Sequence, residues 1–320
     1  MRNIKDTIIN IVVGIIVVTL IVLGFVFSSW LNDIQIETLI ILAIICGCAA
    51  FYCFIVGEIS RNNSQMDKLW SILPIVYVWV IAIKGWFNLR LFVIAIIVTL
   101  WGIRLTFNFA RKGAYSIKFW AGEEDYRWVV LRQKKILKHK PVWALFNLGF
   151  ISIYQNALVL AICLPALACM SSTTPFGVFD HLAAVAAILF LVLETVADEQ
   201  QWAFHKTKKM YAAQGLRLED YPAPYNKGFN TTGIWKYARH PNYLGEQGIW
   251  VSIYFFVVGA GIANYGIFNW TLVGSMLLIL LFMGSSAFGE GVSASKYSEY
   301  PLYQKEVSKY FPNPFRRYKR

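Results

Sequence analysis

Residues 233–246 read GIWKYARHPNYLGE, and the apolar segment 247–259 follows them without a break. Within eight positions this motif carries an arginine, a histidine, an asparagine, a tyrosine and a glutamate. So many hydrogen-bonding groups are costly at the start of a membrane helix, and ionisable groups there indicate a functional site. The alternative is an ordinary basic helix end that aromatic residues anchor at the lipid headgroups. Such an end needs neither Asn242 nor Glu246.

Composition places the chain among multi-pass membrane proteins. Apolar residues make up 57% of the 320 residues and aromatic residues 16%, which leaves too little polar surface for a soluble fold of this length. Segments that can cross about 30 Å of hydrocarbon, or nearly so, recur along the chain. They cover residues 8–27, 36–57, 69–83, 91–109, 145–170, 181–197, 244–259 and 267–288. The third and sixth are short, so a tilted, re-entrant or interrupted helix is open there. We predict an all-α fold, a polytopic membrane helical bundle of about eight transmembrane helices.

The distribution of positive charge predicts the orientation of these helices. All but three of the 30 lysines and arginines lie on alternate loops, and the exceptions are Lys84, Arg90 and Arg104. By the positive-inside rule, both termini and the three largest loops face the cytoplasm. The net charge of +12 then reflects this topology and an affinity for anionic membrane lipids. No basic stripe with base-stacking aromatic residues stands outside the membrane region, so we expect no nucleic-acid partner.

The cysteines and the N-terminal segments indicate no further functional site. All five cysteines fall in predicted helices and none forms a CxxC pair, so we interpret them as small membrane-helix residues and expect no metal site. Residues 1–60 are predicted to form N-terminal transmembrane helices without recognisable chemistry. Residues 61–320 are predicted to form a single integrated bundle that carries the polar sites.

The fourth segment carries Arg104, Asn108 and Arg111 at helical spacing. A buried arginine pairs with an anion, which is either an internal carboxylate or the phosphate of a ligand. For Arg104 both alternatives remain open.

The end of the sixth segment carries Glu194, Asp198 and His205 on one helical face. This stripe suggests hydrogen bonds to a ribose or an amide, or ion pairs that shape a pocket. Zinc is a weaker interpretation, because two carboxylates and one distant histidine lack the close donor set that zinc prefers.

Two further polar stretches flank the motif. The loop 221–232 contains prolines and glycines that predict an extended, shaped loop, from which Lys227 and Asn230 can close over a cofactor. After the last apolar segment Glu290 and a tail rich in lysine and tyrosine follow. For this tail, an amphipathic helix lying on the membrane is the alternative to a functional role.

Several nucleotide and hydrolase sites are not expected. No glycine-rich fingerprint follows a strand, which argues against a Rossmann site, and no nucleophile elbow is present. Proton-coupled transport is disfavoured because Glu194 and Asp198 lie at a helix end rather than at the bilayer midplane.

The motif and several other patterns resemble the steroid 5α-reductase C-terminal-domain family, most closely its largely uncharacterised bacterial branch. The motif matches as Gly-x-Trp followed by Arg-His-Pro-Asn-Tyr-x-Gly-Glu. Further matching patterns stand in residues 67–74, 100–106, 123–128, 194–198 and 300–312. Together they cover about residues 65–315 in matching order and spacing.

This resemblance implies a reductase of the bacterial inner membrane that holds NADPH in a cytoplasm-facing cavity. Its reaction would be the reduction of an activated C=C bond, an enone, in a steroid- or lipid-like substrate. Asp198, Asn242 and Glu246 match cofactor-binding positions of the family, and Glu194 falls where the steroid enzymes have an asparagine. With the polar residues above, the expected cofactor-binding residues are Arg104, Asn108, Arg111, Glu194, Asp198, His205, Lys227, Asn230, Tyr237, Arg239, His240, Asn242, Tyr243 and Glu246.

Two departures from the family concern the substrate. Trp101 stands where the steroid enzymes have a tyrosine, and an indole cannot supply a proton. For their glutamate the nearest acidic residue is Asp67, with Glu58 as second choice, and we predict these two as catalytic residues. A carboxyl group in an apolar site can stay protonated near neutral pH and donate to a developing enolate. The alternative for Asp67 is a helix N-cap.

A methyltransferase of the same superfamily is the main rival. Isoprenylcysteine and phospholipid methyltransferases carry a similar Arg-His-Pro-x-Tyr-x-Gly motif and bind S-adenosylmethionine. Asp198, Asn242 and Glu246 fit the reductase pattern better. A lipid-binding or transport role without catalysis is the third alternative. In each case the expected partners are membrane lipids and a hydrophobic, lipid-like small molecule.

Overall fold

The computed structural model describes residues 4–26, 31–264 and 266–318, and side chains from residue 11 onward. Within these ranges all regular structure is helical, apart from two isolated β-bridges. The main elements are α1 (Ile4–Val26), α2 (Asp33–Ser60), α3 (Gln65–Leu69), α4 (Leu73–Lys84), α5 (Leu89–Ala110), α6 (Tyr126–Arg132), α7 (Lys140–Phe146), a π-helix (Asn147–Tyr154), α8 (Gln155–Ala161), α9 (Leu164–Cys169), α10 (Val178–Ala213), α11 (Pro241–Gly259), α12 (Leu272–Lys296) and α13 (Tyr300–Glu306). The predicted all-α class is confirmed.

Five helical runs are long and apolar enough to cross a membrane. They are Asp33–Ser60, Leu89–Ala110, Lys140–Cys169, Val178–Ala213 and Leu272–Lys296. Shorter apolar helices at Ile11–Val26 and Leu73–Lys84 correspond to the first and third predicted segments, and α11 corresponds to the seventh. Residue 27, where the first segment was predicted to end, lies outside the described residues. The chain is therefore a helical membrane protein, whereas the number of about eight spans and the cytoplasmic termini stay predictions.

The sixth predicted segment differs most from the structure. Hydropathy predicts residues 181–197, but α10 runs for 36 residues to Ala213. Residues 198–213 include two glutamines, three lysines and three alanines, which favour a helix without making the segment strongly apolar. The prediction of a short or interrupted sixth helix was therefore wrong. The third helix, in contrast, is short as expected, with 12 residues.

The chain packs as two compact units. The first unit comprises Met1–Ile16, Ala186–Ile249 and Ile279–Arg320, and the second comprises Val17–Val185 and Trp250–Leu278. The motif and the end of α10 belong to the first unit. Asp67, Glu58 and the polar residues of α5 belong to the second. The predicted division at residue 60 stays a prediction.

A buried ion pair ties several segments of the second unit together. Arg90 donates from Nε and Nη2 to the two carboxylate oxygens of Asp180, at 2.6 and 2.9 Å, and both side chains are no more than 1% exposed. Its remaining hydrogen bonds reach the Ser172 hydroxyl and three backbone carbonyls. A Cβ atom on Gly259 would lie 2.5 Å from Asp180 Oδ1, so only glycine fits there. The pair thus fixes the start of α5 against the start of α10 and the end of α11.

We expect Asp180→Asn to lower the free energy of unfolding by about 3–5 kcal/mol, because it leaves the buried guanidinium of Arg90 without its counter-charge. The matched control is Glu37→Gln, which breaks the more exposed pair between Glu37 and Lys84 and should cost less than about 1 kcal/mol. Titration with a denaturing detergent, followed by circular dichroism, measures both variants. Equal losses would contradict a structural role for the buried pair.

Candidate functional site

The backbone of the motif is held by the C-terminal segment of the chain. The motif begins as a 3₁₀ turn at Gly233–Lys236, and α11 starts at Pro241, where the fixed φ of proline suits a first helical position. Between them the amides of Arg239 and His240 donate to the carbonyls of Ser308 and Lys309, each at 2.9 Å. Residues 238–240 and 308–309 therefore run side by side as a short parallel bridge.

Arg239 is buried and makes an ion pair with Glu290 of α12. Its Nε donates to Glu290 Oε1 at 2.7 Å, and its Nη1 donates to the carbonyls of Gln304 and Val307. Gln304 Nε2 in turn donates to Glu290 Oε2 at 3.0 Å. These contacts place the guanidinium inside the protein, where it joins the motif, α12 and the C-terminal segment.

Glu290 is the important residue to which the sequence analysis gave no role. A buried arginine requires an anion, so the sequence predicts that Arg239 has some partner. It does not say which carboxylate serves, because Glu290 lies 51 residues further along the chain.

His240 shares the same carboxylate, with its Nε2 at 2.9 Å from Glu290 Oε1. Burial lowers the pKa of His240, and the positive charges of Arg239 and Lys309 act in the same direction, although Glu290 opposes them. The imidazole is therefore neutral at pH 7. With Nε2 donating to Glu290, the neutral ring keeps Nδ1 as an acceptor. The ring stacks on Tyr243, with centroids 5.1 Å apart.

The other half of the motif faces α10 inside the first unit. A Cβ atom on Gly245 would lie 2.5 Å from Glu194 Cβ, so this glycine lets α10 and α11 pack closely. Asn242 Nδ2 donates to Asp198 Oδ1 at 3.1 Å. Glu194, Asp198 and Glu246 are all buried. The structure thus brings Glu194 and Asp198 of the α10 stripe against Gly245 and Asn242 of the motif on two packed helices, hereafter the α10–α11 face.

The amide of Asn242 offers an acceptor to a ligand. A carboxylate only accepts hydrogen bonds, so the contact with Asp198 requires Asn242 to present Nδ2 there and Oδ1 elsewhere. This Oδ1 is buried and has no hydrogen-bond partner within the described part of the chain, and the same holds for Oε1 of Gln201. Gln201 Nε2 lies 3.1 Å from His205 Nε2. Buried acceptors of this kind fit hydroxyl, amide or ammonium donors, which ribose and nicotinamide groups carry and phosphates lack.

In the loop 221–232 of the first unit, the predicted residues Asn230 and Lys227 contact the loop itself and the C-terminal tail. Asn230 accepts from the amide and hydroxyl of Thr232, at 3.0 and 2.8 Å. Lys227 Nζ lies 3.8 Å from Glu299 and 4.3 Å from the centre of the Tyr318 ring. Tyr237 is half-buried. Their roles in cofactor binding stay predictions.

The polar residues of α5 lie in the second unit. Arg111 donates from Nε and Nη2 to Asn108 Oδ1, at 3.0 and 2.7 Å, and its guanidinium lies 5.6 Å from the ring centre of Phe107. Arg104 stands one helical turn before Asn108. The helical spacing predicted for these residues is confirmed, whereas contact with a phosphate stays a prediction.

Asp67, the first-choice acid, lies in a network of the second unit. Its Oδ2 accepts from Trp128 Nε1 at 2.7 Å, and its Oδ1 lies 3.3 Å from Arg127 Nη2. Burial raises the pKa of Asp67, and the charge of Arg127 only partly offsets this. The N-cap of α3 is Ser64, so the alternative of a helix cap at Asp67 was wrong.

Glu58, the second-choice acid, is exposed near the end of α2. Its Oε1 accepts from Asn147 Nδ2 at 2.7 Å.

No three His, Cys, Asp or Glu side chains lie close enough to hold a metal ion in the part of the chain that the structure describes. The five cysteines are free thiols, and three of them are buried, with Cys53 and Cys169 in helices and Cys163 in the turn before α9.

Residues 53–308 match a family described as protein of unknown function (DUF1295). The chain is also similar to the uncharacterized protein C594.04c of fission yeast, Schizosaccharomyces pombe. The two are 34% identical over 275 residues, which cover 81% of this chain and 77% of the yeast protein. No solved structure matches the chain. The family match includes every residue predicted for the site.

We expect the stability of the first unit to fall as the pH is lowered below about 6.5, the ordinary pKa of histidine. Because the folded pKa of His240 is lowered, the unfolded state binds more protons in this range, and stability therefore rises with pH. The measurement is the midpoint of thermal unfolding between pH 5 and 7.5. His240→Gln keeps a donor for Glu290 but does not titrate, so its profile should be flatter. Parallel profiles for both proteins would contradict the assignment.

Proposed function

The chain belongs to the DUF1295 family, which is the steroid 5α-reductase-like family, and we propose that it is an NADPH-dependent reductase of an activated C=C bond in a lipid-like substrate. The observation that carries the proposal is the unpartnered Oδ1 of Asn242 on the α10–α11 face. It is an acceptor held in place by Asp198, and the carboxamide and ribose groups of a nicotinamide dinucleotide are donors.

The residues of the α10–α11 face fit such a cofactor. Asn242 Oδ1 accepts a hydrogen bond from the carboxamide or a ribose hydroxyl, and the buried carboxylates of Glu194 and Glu246 are further acceptors for hydroxyl groups. Arg239 and His240 hold the start of α11 in register through Glu290. NADPH, when bound, supplies a hydride, and the protein supplies orientation and a dry site.

The protein must also supply a proton to the substrate. Addition of hydride to the β-carbon of an enone moves the C=C electron pair toward the carbonyl oxygen, and the resulting enolate takes one proton to give the saturated ketone. Asp67 is the favoured donor because it is buried and its pKa is raised. Glu58 is exposed and therefore less suited.

We expect Asn242→Leu to weaken NADPH binding about tenfold, because it removes a buried hydrogen bond at nearly constant volume. Calorimetric titration of the detergent-purified protein measures the dissociation constant. Asn226→Leu is the matched control, because Asn226 is an exposed amide of the same unit, and its affinity should not change. Equal NADPH affinity in wild type and Asn242→Leu would remove the main support for the cofactor site.

One observation favours the rival methyltransferase. Arg239, a donor of the motif, already donates to Glu290 and to two backbone carbonyls. The groups that the α10–α11 face offers to a ligand are therefore mainly acceptors and carboxylates. The ammonium and ribose groups of S-adenosylmethionine are donors that suit such a face equally well. The same titration with S-adenosylmethionine, NADH and NADPH separates the two functions, since binding of S-adenosylmethionine alone would establish the methyltransferase site.

For Asp67→Asn we expect unchanged NADPH affinity and at least tenfold slower oxidation of NADPH in the presence of an enone, because general acid catalysis typically contributes 10²–10⁴-fold. The loss of absorbance at 340 nm reports the rate. The control is Asp220→Asn, which changes an exposed aspartate that pairs with Arg217. An unchanged rate in Asp67→Asn would exclude Asp67 as the proton donor.

A further inference from the structure

A second group of buried polar side chains lies in the second unit, and none of its residues was assigned above to cofactor binding. Asn63 follows α2, and Asn147, Ser152 and Asn156 lie in or just after the π-helix. Each is no more than 2% exposed. We call these four residues the π-helix cluster. Buried polar groups in a membrane-spanning segment are costly and mark binding sites or pathways, and π-helical turns occur frequently at functional sites.

Part of the cluster is satisfied internally. Asn156 Nδ2 donates to the carbonyl of Ser152 at 2.7 Å, the Ser152 hydroxyl lies 3.4 Å from Asn147 Oδ1, and Asn147 Nδ2 donates to Glu58. These contacts fix the orientation of the Asn147 amide, because a carboxylate only accepts.

Two atoms of the cluster have no hydrogen-bond partner among the described residues, namely Asn63 Nδ2 and Asn156 Oδ1. A Cβ atom on Gly57 would lie 3.2 Å from Asn63 Nδ2 and 3.3 Å from Asn147 Nδ2. The two amide nitrogens therefore converge on the bare backbone of α2, where a larger residue would crowd them. Glycine at position 57 thus keeps a side chain away from the buried donor of Asn63, which has no partner among the described residues.

The chemistry of these atoms selects a neutral ligand. An N–H donor repels a cation, and two carboxylates in contact with the cluster repel an anion, since Glu58 accepts from the Asn147 amide and Glu124 accepts from the backbone amide of Asn63 at 2.7 Å. Asn63 Nδ2 needs an acceptor, which a carbonyl oxygen supplies. We propose that the π-helix cluster binds the carbonyl oxygen of the lipid-like substrate, with Asn63 as the hydrogen-bond donor. This inference rests on the proposed function for the identity of the ligand, but not for the existence of the site.

The acceptor of Asn156 adds a second element of selectivity. Asn156 Nδ2 lies 3.8 Å from the Cys53 sulfur of α2, and Asn156 Oδ1 has no hydrogen-bond partner among the described residues. A ligand that also carries a hydroxyl group can donate to this acceptor.

The test compares two probes of equal shape, 4-cholesten-3-one and 4-cholestene, which lacks the ketone. Both are titrated into the full-length protein in a detergent without ester groups, and binding is followed by tryptophan fluorescence. We expect wild type to bind the ketone about tenfold more tightly, as one buried hydrogen bond provides. Asn63→Leu should lose this preference, and Asn226→Leu should keep it. A preference below twofold in wild type, or one that persists in Asn63→Leu, would overturn the proposal.

A second measurement needs no variant. With a ¹³C-labelled ketone, the infrared carbonyl band of the bound probe should lie below its frequency in hexane, because a hydrogen bond weakens the C=O bond. A band at the hexane frequency would overturn the proposal even if Asn63→Leu fails to fold.

The outcomes for the site and for the reductase remain distinguishable. If the ketone preference depends on Asn63 but NADPH neither binds nor is oxidised, the proposed function fails and the oxygen site stands. If NADPH reduces the ketone with the same KM in wild type and Asn63→Leu, the oxygen site fails and the reductase stands.

Discussion

A charged side chain that leaves water for the interior of a membrane protein must keep a counter-charge and satisfy its remaining hydrogen bonds. Two arginines meet this demand in the same way. Arg90 pairs with Asp180 and binds three backbone carbonyls, and Arg239 pairs with Glu290 and binds two. Because each guanidinium reaches carbonyls from distant parts of the chain, each pair fixes several segments at once. The pairs therefore contribute position as well as stability, and each unit is organised around one of them.

In the first unit this arrangement divides the motif into two halves. Arg239 and His240 turn toward Glu290 and anchor the C-terminal segment. Asn242 turns toward Asp198 and keeps a free acceptor, and Gly245 brings α10 close enough for this contact. Proline at position 241 starts the helix between the two halves. The polar groups of the motif thus serve two purposes. The first half holds the C-terminal segment, and the second half presents the buried Oδ1 of Asn242, which has no partner among the described residues.

Hydropathy alone predicted the helical membrane fold, because apolar runs of sufficient length have few other structures available. Helical spacing also placed Glu194 and Asp198 on one face, which the structure confirms. Hydropathy ended the sixth segment at residue 197, although the helical face through His205 already required a longer helix, because residues 198–213 form a helix by propensity rather than by hydrophobicity. The partner of Arg239 and the π-helix were missed for a different reason. Both depend on which distant segments pack together, and neither leaves a periodic signal in the sequence.

The two sites differ in the hydrogen-bonding groups that they offer. The α10–α11 face offers acceptors and carboxylates, which suit a polar ligand with many hydroxyl and amino groups. The π-helix cluster offers the donor of Asn63 among buried amide and hydroxyl groups, which suits a ligand with one neutral oxygen. A reductase of a lipid-like enone requires both kinds of ligand, and so does a lipid methyltransferase. Under the proposed function, the identity of the polar ligand on the α10–α11 face would therefore determine the reaction, whereas the π-helix cluster would constrain the lipid in either case.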